Sequence, residues 1–191
     1  AVAGVPTRLA AADFDGDGNQ DIAALLFTDE ASPVPSGAVE VLFGDGAGGF
    51  ATAWRFGLTG ESLDLIAADA DGDGHTDLVG ADASAARVAV AYGRGDGTFE
   101  TDERFSVGER PRMVLAEDMN GDGNVDLITA NLDSEDISVL LGAGNGYFAD
   151  AIHTGVPDVP RAIAARDCDE ERHIDTAAEN STPRREPVLH G

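Results

Sequence analysis

Cysteine is almost missing from this sequence. The single Cys168 excludes an internal disulfide framework and any multi-cysteine metal or haem site. Basic residues are also scarce, with 12 Lys+Arg against 36 Asp+Glu and a formal net charge of −24. Nucleic acid and anionic membrane surfaces are recognised through positive charge, so neither is expected as a partner. No apolar run reaches membrane-spanning length, and no membrane insertion is expected. Proline is limited to 8 residues against 24 glycines, which points to many tight turns. A 42% hydrophobic content still supplies a core, so the chain is not a disordered acidic tail. No Gly-x-Ser-x-Gly occurs, and His75, His153, His173 and His190 are scattered, so no catalytic set is visible and a non-enzyme is expected.

What is present is a repeat. An acidic segment, Ala12-Asp13-Phe14-Asp15-Gly16-Asp17-Gly18-Asn19-Gln20-Asp21-Ile22, returns around Asp69–Asp77 and Asp118–Asp126, and in altered form around Asp167–Asp175. Its first aspartate recurs at intervals of 56, 49 and 49 residues. The seven extra residues of the first interval fall in the Pro- and Ser-containing stretch Thr28–Gly37, which reads as an enlarged loop. A second motif keeps the same period. Phe43-Gly44-Asp45-Gly46-Ala47-Gly48-Gly49-Phe50 matches the segments Tyr92–Phe99 and Leu141–Phe148. Two unrelated motifs in one register define repeats of approximately 1–56, 57–105, 106–154 and 155–191 in a single repeat domain.

Between the motifs the pattern is that of β-strands. Ala38–Phe43, Arg87–Tyr92 and Asp136–Leu141 alternate or run apolar and end at glycine turns. Short apolar runs flank each acidic loop, at Leu9–Ala12 and Ile22–Leu26 in the first repeat. A further strand is expected after each glycine turn, around Phe50–Phe56, Phe99–Val107 and Phe148–Thr154. Four short strands per repeat of about 49 residues is the scale of a propeller blade. The expected fold is therefore all-β: a propeller-type array of about four blades, each of four short antiparallel strands, the last blade incomplete. No segment sustains a 3.6-residue apolar period, so few helices are expected.

The acidic loops carry the chemistry. Asp13, Asp15, Asp17 and Asp21 occupy loop positions 1, 3, 5 and 9, and carboxylates this close repel unless a cation neutralises them. Every donor is oxygen, which selects a hard cation, and a flexible, charge-rich loop suits Ca²⁺ better than octahedral Mg²⁺. The second loop offers Asp69, Asp71, Asp73 and Asp77, and the third Asp118, Asn120, Asp122 and Asp126. Position 7 varies between Asn19, His75 and Asn124, as expected of a backbone-carbonyl ligand, so His75 is not read as a zinc ligand. The loop is not an EF-hand. Position 12 is Ala24, Gly80 or Thr129 rather than glutamate, and the flanks are strands. Solvated Asp/Gly turns are the ordinary alternative for one such loop; three in register argue against it. The fourth loop keeps acids at Asp167, Asp169, Glu171 and Asp175, with His173 at position 7. It replaces both glycines with Glu170 and Arg172, whose guanidinium can substitute for a metal. Three Ca²⁺ ions are expected, and the fourth loop is set apart from them.

These residues resemble the FG-GAP/VCBS family, a calcium-binding propeller repeat found in integrin α-subunit heads, bacterial surface proteins and some fungal lectins. The Asp-x-Asp-Gly-Asp-Gly-x-x-Asp loop followed by Ile22 or Leu78 carries the likeness, with Phe43-Gly44 and the Gly-x-Gly-x-Gly-x-Phe element. The resemblance implies one structural Ca²⁺ per loop between two strands of a blade. It further implies a secreted or cell-surface module with a binding, adhesion or scaffolding role toward a protein or glycan.

Other features are weighed against the repeat. Arg94-Gly95-Asp96 spells an adhesion tripeptide, but it lies inside the repeated glycine turn. Asn180-Ser181-Thr182 fits a glycosylation acceptor. Trp54 aligns with Glu103 and Ile152, outside the repeat core, and either fills a gap near the enlarged loop or stacks on a sugar. Tyr147, in a turn, is a second such candidate. Cys168 aligns with Phe14, Ala70 and Met119 as a small buried filler. The fourth repeat stops before its glycine turn and last strand, so open apolar faces are expected to be completed by further sequence or by copies of the same chain. A self-assembling filament or ring subunit is the second functional reading, and a lectin-like or polysaccharide-active domain the third.

Overall fold

Each acidic loop and each glycine turn reverses the chain, so a repeat folds into an up-and-down meander of neighbouring strands. The computed structural model describes residues 4–27, 37–57, 60–100, 103–166 and 175–180. The first sheet contains β1 (Val5–Ala12), β2 (Asp21–Phe27), β3 (Ala38–Gly44) and β4 (Phe50–Gly57) in that order. The second contains β5 (Ser62–Ala68), β6 (Asp77–Asp82), β7 (Arg87–Ala91) and β8 (Glu103–Ser106), and the third β9 (Pro111–Glu117), β10 (Asp126–Asn131), β11 (Asp136–Leu140) and β12 (Ile152–Gly155). A final pair joins β13 (Pro160–Arg166) to β14 (Asp175–Asn180). Every pairing is antiparallel, and no helix occurs among the described residues. This is the expected array of four-stranded blades, with two strands of the fourth blade among the described residues.

The register explains the repeat. The pair that closes each acidic loop is Ala12 with Asp21, Ala68 with Asp77 and Glu117 with Asp126. Arg166 and Asp175 close the fourth hairpin in the same way. The outer strands are shorter than the sequence pattern suggests. β8 and β12 begin at Glu103 and Ile152, while Phe99 and Phe148 form only isolated bridges to Gly93 and Gly142. Gly95 and Gly97 at φ of 68° and 80°, and Gly144 and Gly146 at 70° and 78°, close a tight hairpin whose last bridge stands apart from the ladder. In the first blade the same kind of turn, with Gly46 and Gly48 at 67° and 93°, leads straight into β4 at Phe50, as the sequence pattern suggests. The fourth acidic loop through Ile174, most of the enlarged loop after Phe27, Cys168, His173, His190 and the Ser181-Thr182 portion of the glycosylation triplet lie outside the described residues.

The core lies between the sheets. Ala23, Leu25, Val39 and Val41 of the first sheet meet Leu65, Leu78, Ala89 and Ala91 of the second. Successive residues then point to opposite sides, so Val79, Ala81, Val88 and Val90 meet Val114, Leu127 and Leu140 of the third sheet. Ile128, Ala130 and Ile137 in turn pack against Ile163 of β13. Both faces of a middle strand are covered, so all six residues of β6 and of β10 are buried. This is why those strands read as continuous apolar runs rather than alternating ones. The first strands β1, β5, β9 and β13 contact one another in sequence along the inner side. The fourth strands β8 and β12 form the exposed outer edge.

Charged pairs stitch the outer halves of the blades, and no repeat pattern announced them. Arg55 reaches the buried Glu40 at 3.0 Å, Arg87 reaches the buried Asp82 at 2.9 Å, and His153 Nδ1 lies 3.3 Å from Asp136. The same His153 nitrogen is 3.1 Å from the Ser138 hydroxyl, which accepts the Gly108 N–H at 3.0 Å. His153, half exposed, thus ties β12 to β11.

Leu78 is fully buried between the first two sheets, whereas Leu9 on β1 is 64% exposed. Leu78→Ala should lower unfolding free energy by about 2–5 kcal/mol. Leu9→Ala should change it by less than about 0.5 kcal/mol. Equilibrium denaturation of both variants checks the assignment of the inter-sheet core.

Candidate metal centre

The acidic loops connect the first and second strands of three blades, between β1 and β2, β5 and β6, and β9 and β10. Their glycines adopt the left-handed conformation at positions 4 and 6, with φ of 75° and 87° at Gly16 and Gly18 and nearly the same values in the other two loops. That curl turns the backbone N–H groups inward onto the first aspartate. The Asp13 carboxylate accepts the Gly16 N–H at 2.8 Å and the Gly18 N–H at 2.9 Å. Asp69 does the same with Gly72 and Gly74, and Asp118 with Gly121 and Gly123.

Position 9 has a second task. Asp21, Asp77 and Asp126 begin the second strand and are fully buried. One carboxylate oxygen accepts the N–H of the second loop residue: Phe14 at 2.9 Å, Ala70 at 2.7 Å and Met119 at 2.9 Å. The other accepts the N–H of Gly44, Gly93 or Gly142, each at 2.8 Å. Those glycines open the second motif, so one carboxylate fastens the acidic loop to the glycine turn. A Cβ on any of them would collide with the carbonyl oxygen of Gln20, Thr76 or Val125. The two motifs therefore share a period because they touch.

In the first two loops, positions 1, 3 and 9 converge. Carboxylate oxygens of Asp13, Asp15 and Asp21 lie within 4.8 Å of one another, and so do those of Asp69, Asp71 and Asp77. Position 5 caps the loop backbone beside these triads. Asp17, Asp73 and Asp122 accept the N–H of position 7 at 2.7, 2.7 and 2.8 Å. At position 7 the side chains of Asn19, His75 and Asn124 lie against Gly46, Gly95 and Gly144 of their own glycine turns. The third loop repeats the backbone bonds, but Asn120 stands where the others have a third carboxylate.

The electrostatics follow this geometry. Burial raises the Asp77 carboxyl to about 6 against the opposing pull of the Gly93 and Ala70 N–H groups, and the charges on Asp71 and Asp73 add to the rise. Asp71 is raised by burial and by Asp73 and Asp69, and Asp15 by lost hydration and by Asp17, Asp21 and Asp13. Asp126 is raised by burial. Asp122 moves the other way, because the Asn124 N–H and the Asn120 amide donate to it. The first two loops thus hold compressed like charges with oxygen donors only, a set suited to a hard divalent cation. The third loop offers the same backbone with less repulsion.

Adjacent blades are coupled at this end. The Gly97 N–H donates to the Phe14 carbonyl at 3.0 Å, and the Tyr92 hydroxyl donates to the Gly146 carbonyl. A cleft of about 380 Å³ lies beside the second loop, bordered by Asp71, Asp73, Tyr92, Arg94 and Tyr147. Tyr147 is 64% exposed and Trp54 38% exposed. The Arg94-Gly95-Asp96 tripeptide is tied into its turn. Arg94 pairs with Glu100 at 2.8 Å, and Asp96 accepts from the Thr98 N–H and hydroxyl.

An all-β array of antiparallel blades with an acidic loop between the first two strands of each is a propeller-type repeat protein. The family model for the FG-GAP-like repeat matches residues 13–80 and 69–129, and the chain belongs to that family. No curated protein sequence matches it. Among solved structures it is similar to an Agrocybe aegerita lectin studied for specific recognition of non-reducing terminal N-acetylglucosamine, with 23% identity and a TM-score of 0.49 over 75% of this chain and 36% of that one. A second similar structure is the Photorhabdus luminescens Tc holotoxin pore, with 15% identity and a TM-score of 0.42 over 87% of this chain and 10% of that one. The chain thus spans about a third and a tenth of the length of these two structures.

A carboxyl whose folded pKa lies above its unfolded value stabilises the fold when protonated. That stability is complete below the unfolded pKa and is lost as pH rises through the folded one. With Asp77 raised to about 6, the ion-free protein should lose stability between about pH 4 and pH 6. Solvent screening at the open loop reduces the loss to about 1–2 kcal/mol. Calorimetry in chelator should show the melting temperature falling across that window, and a divalent cation should abolish the fall.

Proposed function

We propose that the chain is a calcium-stabilised propeller module of the extracellular space, serving binding or scaffolding rather than catalysis. The observation that carries this reading is the pair of carboxylate triads, Asp13–Asp15–Asp21 and Asp69–Asp71–Asp77, built by the same backbone bonds in successive blades. Three or four hard oxygen donors on a glycine-rich loop favour Ca²⁺ over Mg²⁺, which demands stricter octahedral geometry. Asp118, Asn120 and Asp126 are the corresponding donors of the third loop, with Asn120 contributing an amide oxygen. When bound, the ion supplies charge neutralisation. The chain's own residues do the rest: Asp21, Asp77 and Asp126 clasp each loop to its glycine turn, and Phe14 and Tyr92 reach the next blade.

Support for an extracellular setting is chemical. Open loops of this donor count suit the weak sites that fill at extracellular calcium levels, in the range of about 10⁻⁴–10⁻³ M. Support for a non-enzymatic role lies in how the acids are used. The loop aspartates are engaged as acceptors within their turns. The partner class is a protein or a glycan, and the exposed Tyr147 beside the second loop offers a ring to either.

Calorimetric titration should count three bound calcium ions in the parent chain. Asp71→Ala should remove one of them, because it breaks the second triad. Each saturated site should add about 2.7 kcal/mol at a hundredfold excess over its Kd, so chelator should lower the melting temperature sharply. A melting temperature indifferent to chelator at neutral pH would refute the calcium assignment.

A further inference from the structure

The opposite end of the array carries a different chemistry. Each first strand runs toward its acidic loop, so its beginning lies at the far end. Arg112 on β9 precedes Asp118 by six residues, which is about 20 Å of extended chain. The sequence has no lysine, so its 12 Lys+Arg are all arginine, and acids outnumber them threefold. Most of the described arginines are accordingly claimed. Arg8 pairs with Asp64, Arg55 with Glu40, Arg87 with Asp82 and Arg94 with Glu100, while Arg110 lies 3.8 Å from Asp133. Arg112 and Arg161 hold no ion pair and no hydrogen bond among the described residues.

These two free guanidinium groups are placed together. Each follows a buried proline at the start of an inner strand, as Pro111-Arg112 and Pro160-Arg161, 49 residues apart and at the same register position. The first two blades have Thr7 and Leu63 at that position. The strands β9 and β13 are in contact, and the Ile163 N–H lies 3.4 Å from the Met113 sulfur one residue beyond Arg112. Both arginines line one open cleft of about 430 Å³, with Leu132, Asp133, Glu135 and Val159 as its other walls. Asp133 and Glu135 belong to the hairpin between β10 and β11, where Glu135 takes a φ of 52°.

We propose that this cleft is a docking site for a carboxylate carried by a peptide. The planar N–H fork of each guanidinium suits a planar carboxylate. Asp133 and Glu135 oppose a dianion such as phosphate at the same place and leave acceptors for peptide N–H groups. Leu132 and Val159 give an aliphatic neighbour a surface, and no aromatic ring lines the cleft to stack a sugar. The site lies at the far end from the acidic loops, so it stands whether or not those loops hold metal.

The test is a nuclear magnetic resonance titration of the full chain, reading the arginine Nε–H signals. The probes are an acetylated Leu-Asp peptide amide, its Leu-Asn counterpart, and acetyl-leucine with a free C-terminal carboxylate. Shifts of the Arg112 and Arg161 signals with either carboxylate probe, and at least tenfold weaker response to the Asn peptide, are expected. The better carboxylate probe then distinguishes a side-chain from a C-terminal source. Arg112→Gln and Arg161→Gln should each weaken binding at least tenfold, and Arg161→Lys should weaken it while keeping the charge. Both side chains are exposed, so the remaining spectrum should be unchanged, and either variant alone suffices if the other fails to fold. Equal response to the Asn peptide, tighter binding of inorganic phosphate or of a digalacturonate, or undiminished binding in both Gln variants would overturn the proposal.

Discussion

A buried aspartate at the start of the second strand holds each of the first three blades together. Asp21, Asp77 and Asp126 each spend one oxygen on the start of their own acidic loop and the other on the glycine that opens the next turn of the same blade. A buried carboxylate without partners is costly, and two N–H donors offset that cost only in this geometry. The glycine at Gly44, Gly93 or Gly142 follows from it, because a side chain there would strike the carbonyl beside the clasp. So does the position of the first two strands, whose closing pair sits at the same aspartate. The loop, the turn and the hairpin are thus one unit rather than three motifs.

The charge problem of the loops is a consequence of the same unit. A fastened position 9 brings its carboxylate next to those of positions 1 and 3, and the cluster becomes too negative to be comfortable in water alone. Asp77 shows the strain most clearly, its carboxyl pushed up to about 6 by burial with Asp71 and Asp73 adding to the effect. The third loop relaxes part of it by substituting Asn120, whose amide donates to Asp122 at 2.9 Å. The loops are therefore graded in their charge repulsion, although their glycines share nearly the same φ values.

Packing between blades answers to a separate constraint. Middle strands are covered on both sides, so they tolerate only small or aliphatic residues, and Ala23, Ala81, Ala89 and Ala130 allow the sheets to approach. Polar residues enter that region only as satisfied groups, as with Glu40 and Arg55 or Asp82 and Arg87. The contrast with Arg112 and Arg161 is instructive. In an acidic chain almost any arginine can find a carboxylate, and these two lie where the blade register puts them beside each other instead.

Much of this was legible in the residues themselves. Local conformational chemistry determined the blade: aspartates at fixed spacing, glycines where φ must be positive, and short apolar runs between them gave the four strands per repeat and the three acidic loops. Such signals act within a few residues, so they survive in sequence. The outer strands beginning at Glu103 and Ile152 were shorter than their composition suggested, whereas β4 begins at Phe50 as its composition implies. What only the tertiary structure decided depends on residues far apart in the chain. The clasp between Asp77 and Gly93, the hold of His153 on Asp136, and the cleft that Arg112 and Arg161 both line depend on how strands and blades come together. A one-dimensional pattern records which groups recur; it does not record which of them the packing brings within bonding distance.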